Sequence, residues 1–270
     1  MTYVAVVTGA SSGIGEATAR RLAREPDVRL VLVARREDKL SALARELGGS
    51  ERASVLALDL LAPDAGPRVS EAVRREHGAL HLLVNNAGAA WRGSFGDTGW
   101  SNIERHIKLN FEAPVRLTEA LLPLLRATAG HPGSARQVAI VNVASTAARV
   151  SRPNSGAYSA SKFALAGWSD ALYAEEREHD VHVGLVLPGF VRTEGFPAAE
   201  LVARAATRLI VSEPEVVAEA IFAAGPGGVP ERYVPRYYWL PAALRILAPR
   251  LVRRATAGGA FTTATKVHDD

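Results

Sequence analysis

Short, almost uninterrupted apolar runs alternate along the chain with longer stretches in which apolar residues recur every three or four positions. The runs Tyr3–Val7, Arg29–Val33, Ser54–Leu58, His81–Val84, Val138–Val143 and Val181–Leu187 predict strands. Their continuous Val, Leu and Ile content implies burial on both faces, the situation of parallel strands covered by helices. Helical periodicity is expected near 14–25, 37–47, 66–77, 99–126 and 156–178, with a further helix near 213–224 opened by Ser212-Glu213-Pro214. Arg232–Pro235 reads as a last edge strand and Gly225–Pro230 as a loop. Strands that alternate with helices call for right-handed crossovers, so the expected fold class is α/β, a doubly wound parallel sheet with helices on both faces. No linker divides two apolar patterns and no repeat is visible; residues 1–255 are expected to form a single domain and 256–270 a mobile tail.

Composition narrows the chemistry. The 270 residues are 48% hydrophobic and 22% charged, ample for a core. The chain has no cysteine, which removes disulfides and thiolate catalysis, and its seven histidines lack metal-ligand spacing, so no metal site is expected. It opens directly on a strand, and no run approaches the roughly 18 apolar residues of a membrane span, so a cytoplasmic location is expected. The net charge of +4 is a C-terminal property: residues 1–231 sum to −1 and residues 232–270 to +5. Arg232, Arg236, Arg245, Arg250, Arg253 and Arg254 are spread along an apolar segment, which argues against a nucleic-acid partner. In that segment Tyr233, Tyr237, Tyr238 and Trp239 lead into Leu240, Leu244, Leu247, Ala248 and Leu251 on one helical face, with Pro249 expected to kink it. Residues 233–254 are thus expected to cover a cleft or join subunits, with peripheral contact to a membrane surface as the alternative.

Candidate chemistry begins where the first strand ends, at Thr8-Gly9-Ala10-Ser11-Ser12-Gly13-Ile14-Gly15. Glycines allow a sharp turn and close backbone approach, and N–H groups at the following helix N-terminus favour an anion, so the stretch suits a dinucleotide phosphate. The second strand ends in Ala34-Arg35-Arg36, where a carboxylate would select a ribose 2′-hydroxyl. Arg35 and Arg36, with Ser12 nearby, suit a 2′-phosphate instead; the alternative is that they solvate the strand end and pair with Glu37 or Asp38. Asp59-Leu60 follows the third strand, where a simple turn aspartate is the alternative, and Asn85-Asn86-Ala87-Gly88 follows the fourth. Ser145 lies just past the buried strand Val138–Val143. Tyr158 and Lys162, in a helix beginning near Ser155, stand one turn plus about 40° apart and so share a face.

In this order, GxxxGxG, NNAG, the serine and YxxxK resemble the classical short-chain dehydrogenase/reductase family over residues 3 to about 193. The resemblance implies a Rossmann-like fold with NADP preferred over NAD. It assigns cofactor binding to Gly9, Ser11, Ser12, Gly13, Ile14, Gly15, Arg35 and Arg36, to Asp59 and Leu60 at the adenine, and to Asn86, Ala87 and Gly88. Pro188, Gly189, Val191 and Thr193 continue the set, the threonine at the nicotinamide carboxamide. Tyr158 is implied as the acid/base, Lys162 as the charge that lowers its pKa and orients the ribose, and Ser145 as the group holding the substrate oxygen. Asn110, in Lys108-Leu109-Asn110-Phe111, is implied to hold a water that links the lysine to solvent. The expected activity is NADP-dependent interconversion of a carbonyl and a secondary alcohol by a homodimer or homotetramer. The alternatives are an acyl-thioester (3-oxoacyl) ketoreductase and a non-catalytic NADP-binding redox sensor, against which the intact serine, tyrosine and lysine speak. Phe190, Phe196, Leu201, Val202, Leu209 and Ile210 suggest an apolar lid over 189–212, and Trp91, Phe95 and Val150 a hydrophobic cleft for a ketone or hydroxy substrate.

Overall fold

The structure, a computed structural model, describes residues 2–131, 136–194 and 211–257. The apolar runs become β1 (Tyr3–Thr8), β2 (Val28–Ala34), β3 (Ala53–Ala57), β4 (Leu82–Asn85), β5 (Val138–Val143) and β6 (Val181–Pro188). The expected edge strand is β9 (Glu231–Val234), which completes a seven-stranded parallel sheet of order β3-β2-β1-β4-β5-β6-β9. Register brings Asn85 of β4 beside Asn142 of β5 at the carboxyl edge, where their side chains bond at 2.8 Å.

Because side chains alternate across a strand, β1 serves two cores at once. Ala5 and Val7 join Leu30, Leu32 and Val141 beneath α1 (Gly13–Ala23), α2 (Glu37–Glu46) and α7 (Pro214–Ala224), contributing Leu22, Leu40 and Ile221. Val4 and Val6 face Val69, Leu117, Leu121 and Leu172 of α3 (Ala65–His77), α5 (Ala113–Ala129) and α6 (Gly156–Glu176). Each such side chain, fully buried, is worth about 1.5–3 kcal/mol, which is why the sheet tolerates a row of active polar groups along one edge.

The single helix expected over 99–126 is two. α4 (Phe95–Ile107) and α5 are joined by a π-helical turn, Lys108–Glu112, with Asn110 buried inside it. Pro114 explains the widening: in a continuous α-helix its ring would press on the carbonyl of Asn110, four residues back. Pro249 likewise breaks the C-terminal segment into α8 (Trp239–Leu247) and α9 (Pro249–Ala257), a full break where a kink was expected.

The ends of the expected lid are fixed, since β7 (Phe190–Val191) pairs in parallel with β8 (Val211–Ser212). Phe196, Leu201, Val202, Leu209 and Ile210 lie outside the described residues, as does the expected tail apart from Thr256 and Ala257, which continue α9. In α8 only Ala242 is buried, while Ile246 and Leu247 are 78% and 81% exposed. Leu240, Leu244 and Leu251 are 48%, 51% and 65% exposed. No described helix is long and apolar enough to cross a membrane.

Candidate active site

The turn after β1 is built by glycines in the left-handed region, Gly9 at φ +66° and Gly13 at φ +56°. A side chain at Gly15 would run into the Gly9 carbonyl oxygen, so the turn folds tightly onto the first turn of α1. Ser12 occupies the N-cap of α1 without capping it; its hydroxyl instead accepts from Arg36 Nη2 at 2.7 Å. The first-turn N–H groups of Gly13, Ile14 and Gly15 thus stand without a capping side chain, the arrangement that suits a phosphate. Arg36 also donates to Ser11 Oγ at 3.1 Å, while Arg35 is exposed at the strand end and takes no part in these bonds.

The carboxylate partner of Arg36 is neither Glu37 nor Asp38. It is Glu194, 3.1 Å from Arg36 Nη1 and 2.9 Å from Lys39 Nζ, and these two cations hold its carboxyl below the usual range. Lys39 and Glu194 escaped sequence reasoning; the signal for the lysine was its place in the first turn of α2, three residues after Arg36. The methyl of the neighbouring Thr193 lies against Gly13, 3.0 Å from where a side chain there would begin.

Thr8 ties this turn to the NNAG stretch: its hydroxyl accepts from the Asn86 and Ala87 N–H groups at 2.9 and 3.0 Å, and the Asn86 amide donates to the Thr8 carbonyl at 2.9 Å. Asp59 is exposed beyond β3 and takes the N–H of Leu61 at 3.0 Å, closing the turn that holds Leu60. Gly88 leaves room for its neighbours, because a side chain there would lie 2.8 Å from Asn110 Oδ1 and 3.5 Å from Lys162 Nζ.

Ser145 follows β5 on extended backbone, its hydroxyl accepting from the Ala147 N–H at 3.1 Å and donating to the Pro188 carbonyl at 3.3 Å. Tyr158 and Lys162 project from the same side of α6, the ammonium 6.0 Å from the phenol ring centre. Lys162 is 4% exposed and donates to the Val143 carbonyl at 2.8 Å; burial pulls its pKa down to about 8. Burial raises the Tyr158 phenol above its ordinary value, opposed by hydrogen bonding from Ser145 and by the positive fields of Arg152 and Arg92. Arg152 and Arg92 are thus charges acting on the phenol that the resemblance did not name. Neither was foreseen, since they lie in aperiodic loops and meet only through space.

Asn110 spends both amide hydrogens, on the Ala89 carbonyl at 2.9 Å and Ser161 Oγ at 3.1 Å, and its Oδ1 takes the Ala89 N–H at 3.0 Å. Its side chain positions the loop after β4 against α6. A second organiser, missed in the sequence, is the fully buried His106. Its Nδ1 lies 2.6 Å from the Asn102 carbonyl and its Nε2 accepts the Trp91 N–H at 3.0 Å, so the proton sits on Nδ1. Burial depresses its pKa, and the neutral ring stands edge-on to Trp91 and Tyr158 at 4.9 and 6.1 Å. Four-residue spacing from both Asn102 and Asn110 was the available signal. Trp91 packs between His106 and Arg105, and Phe95 is 70% exposed. Beyond Pro188, the Tyr238 ring presses directly over Gly189, which brings the start of the C-terminal segment onto the site.

The short chain dehydrogenase family model matches residues 3–200. Over 198 residues the chain is 34% identical to Dehydrogenase/reductase SDR family member 7B of Bos taurus, covering 70% of this chain and 58% of that protein. The chain thus spans a little over half the length of that relative. A short-chain dehydrogenase from Streptomyces avermitilis superposes with a TM-score of 0.76 at 27% identity, over 97% of this chain and 99% of that one. L-Sorbose reductase from Gluconobacter frateurii, solved with NADPH and L-sorbose, gives a TM-score of 0.74 at 29% identity over 86% and 94% of the two chains. The family match, the relatives and the sheet topology agree: the chain belongs to the short-chain dehydrogenase/reductase family of oxidoreductases.

Proposed function

We propose that the protein is an NADP-preferring oxidoreductase that interconverts a carbonyl and a secondary alcohol on a small, largely apolar substrate. The observation that carries this reading is the gathering of Ser145, Tyr158 and Lys162 at the carboxyl edge of the sheet, next to the uncapped glycine turn. Gly9, Ser11, Ser12, Gly13, Ile14 and Gly15 receive the pyrophosphate. Arg36, Ser11, Ser12 and Lys39 receive the 2′-phosphate, for which the Glu194 carboxylate is a ready stand-in. The NADPH carried by L-sorbose reductase supports the assignment. Asp59 and Leu60 border the adenine, Asn86, Ala87 and Gly88 flank the ribose, and Pro188, Gly189, Val191 and Thr193 border the nicotinamide.

When bound, NADPH supplies the hydride. Ser145, its oxygen held by the Ala147 N–H, turns its hydroxyl hydrogen from the Pro188 carbonyl to the carbonyl oxygen of the substrate, and Tyr158 transfers its phenolic proton to that oxygen as the alcohol forms. An ordinary phenol titrates near pH 10, so the phenolate left behind needs nearby positive charge, to which Arg152 and Arg92 contribute. The Lys162 ammonium orients the ribose and lies beside the ring. Asn110 keeps that lysine's surroundings in place through Ser161 and Ala89.

The test is NADPH and NADH oxidation by the full chain against a panel of aliphatic and aryl ketones. At least tenfold higher kcat/KM with NADPH is expected, the scale of about one charge-assisted hydrogen bond. Tight NADPH binding with no turnover of any carbonyl would overturn the reading in favour of a redox-sensing binder.

A further inference from the structure

Building on the proposed reductase reading, we infer that His106 is a positioning residue for the proton transfer. As a neutral imidazole it fixes the loop after β4 and the ring of Tyr158 in the reacting arrangement; on taking up a proton it releases both, so turnover falls in acid. Asn102, His106 and Asn110 recur every four residues along α4 and its π-turn, so they line one face, and all three are buried. Together they hold alternate residues of the loop by both backbone groups. The Ala89 N–H and carbonyl meet the Asn110 amide at 3.0 and 2.9 Å. The Trp91 N–H donates to His106 Nε2 at 3.0 Å, and the Trp91 carbonyl accepts from Asn102 Nδ2 at 3.4 Å. Two residues on, the Gly93 N–H donates to the Asn154 carbonyl at 3.0 Å, which ties the same loop to the approach to α6.

Of these three side chains His106 alone titrates, and its ring is fixed at both nitrogens. Nδ1 donates its proton to the Asn102 carbonyl at 2.6 Å, which leaves the Nε2 lone pair for Trp91. The same ring stands at 67° to that of Tyr158, the centroids 6.1 Å apart, and also meets the Trp91 ring edge-on. A second proton makes Nε2 a donor that faces a donor, and the bond to the loop cannot survive it. A phenol that must come within about 2.6–3.2 Å of a substrate oxygen does not tolerate the shift of ring and loop that follows. The charged groups acting on the imidazole are Arg105 of its own helix and Lys162 of α6, both cations, and the Tyr158 phenol is a further titratable neighbour. Glu104, the nearest carboxylate in sequence, is paired with Lys108 at 3.0 Å. Burial, aided by the two cations and opposed by the bond to Asn102, keeps the ring neutral down through the ordinary histidine value near pH 6.5, so the acid limb lies below it.

The test measures kcat for NADPH-dependent ketone reduction from pH 5 to 8 in wild type, His106→Gln and His106→Leu. Glutamine sets an amide acceptor near the Nε2 position and does not titrate; leucine offers no acceptor. At pH 7.5 His106→Gln should stay within about threefold of wild type, whereas His106→Leu should lose about tenfold or more in kcat with NADPH affinity changed less than about threefold. Dividing wild-type kcat by that of His106→Gln at each pH cancels every shared titration, and the ratio should fall at least about fivefold between pH 7.5 and 5. Equal losses in the two variants at pH 7.5, or a ratio that does not move with pH, would overturn the inference. The Trp91 backbone amide gives a readout that needs no turnover: it is one of four tryptophan signals in the full chain labelled with nitrogen-15 tryptophan, identified by its loss in Trp91→Phe. It should shift over the same acid range in wild type and stay in place in His106→Gln; a wild-type signal that stays in place overturns the inference. If His106→Leu does not fold, the pH ratio and the Trp91 signal carry the decision. If no carbonyl is reduced, the reductase reading fails by itself, and the Trp91 signal still decides whether His106 releases the loop.

Discussion

Replacing Lys162 with methionine separates the function of the buried ammonium from its effect on the fold. Burial lowers its pKa from 10.5 to about 8. At 1.36 kcal/mol per unit, holding the charge inside the folded protein at pH 7 costs about 3 kcal/mol, because the lysine is charged in both folded and unfolded chains. Lys162→Met removes that cost at similar volume, but leaves the Val143 carbonyl without its 2.8 Å donor, a loss of roughly 1–3 kcal/mol. The variant should therefore be as stable as wild type at pH 7, or more stable by up to about 2 kcal/mol, while NADPH binding and turnover both fall. The sign of the pH dependence follows from the direction of the shift. Between about pH 8 and 10.5 the unfolded chain keeps the proton that the folded one has released, so wild type gains stability with rising pH and the variant does not. Urea unfolding of both proteins at pH 7, 8.5 and 10, read by tryptophan fluorescence and taken as a difference, isolates this contribution from every other titration. A variant several kcal/mol less stable at pH 7, or a difference that does not move with pH, would refute the reasoning.

Glu194→Gln frees Arg36 and Lys39 from a competing carboxylate, so NADPH should bind about threefold to tenfold more tightly by calorimetry with NADH changed less than about twofold; weaker NADPH binding contradicts this. Burial depresses His77, His81, His106 and His182, so the unfolded chain takes up their protons first, and urea midpoints should hold above about pH 6.5 and decline below it; a flat profile to pH 5 would be inconsistent. The exposed leucines of α8 and α9 are expected to form a subunit contact, so Leu244→Ser, Leu247→Ser and Leu251→Ser together should give a smaller species in sedimentation. Unchanged sedimentation alongside lost, salt-sensitive binding to anionic vesicles would assign the face to lipid instead.

Strand positions were readable because buried parallel strands leave uninterrupted apolar runs; β1 to β6 follow the predicted runs closely. Spacing carried the glycine turn and the Tyr158–Lys162 pair, since four residues in one helix place two side chains together by geometry alone. The π-turn was not readable, because a single extra residue scarcely disturbs the apolar period on either side; Pro114 was its only local mark. Arg92, Arg152 and Glu194 became visible only in three dimensions. Each gains its place from a partner distant in sequence or from a loop without periodicity: Arg36 meets Glu194 across 158 residues, and the Arg92 and Arg152 loops are joined by one backbone bond.

The central assignment, Tyr158 as the proton donor beside a bound nicotinamide, is tested most directly by single-turnover oxidation of NADPH in the full chain and in Tyr158→Phe, with a ketone that wild type reduces. NADPH affinity should stay within about threefold while the rate falls by at least about a thousandfold, the upper part of the range for losing a positioned acid/base. A rate in Tyr158→Phe close to that of wild type, with the same affinity, would contradict the assignment.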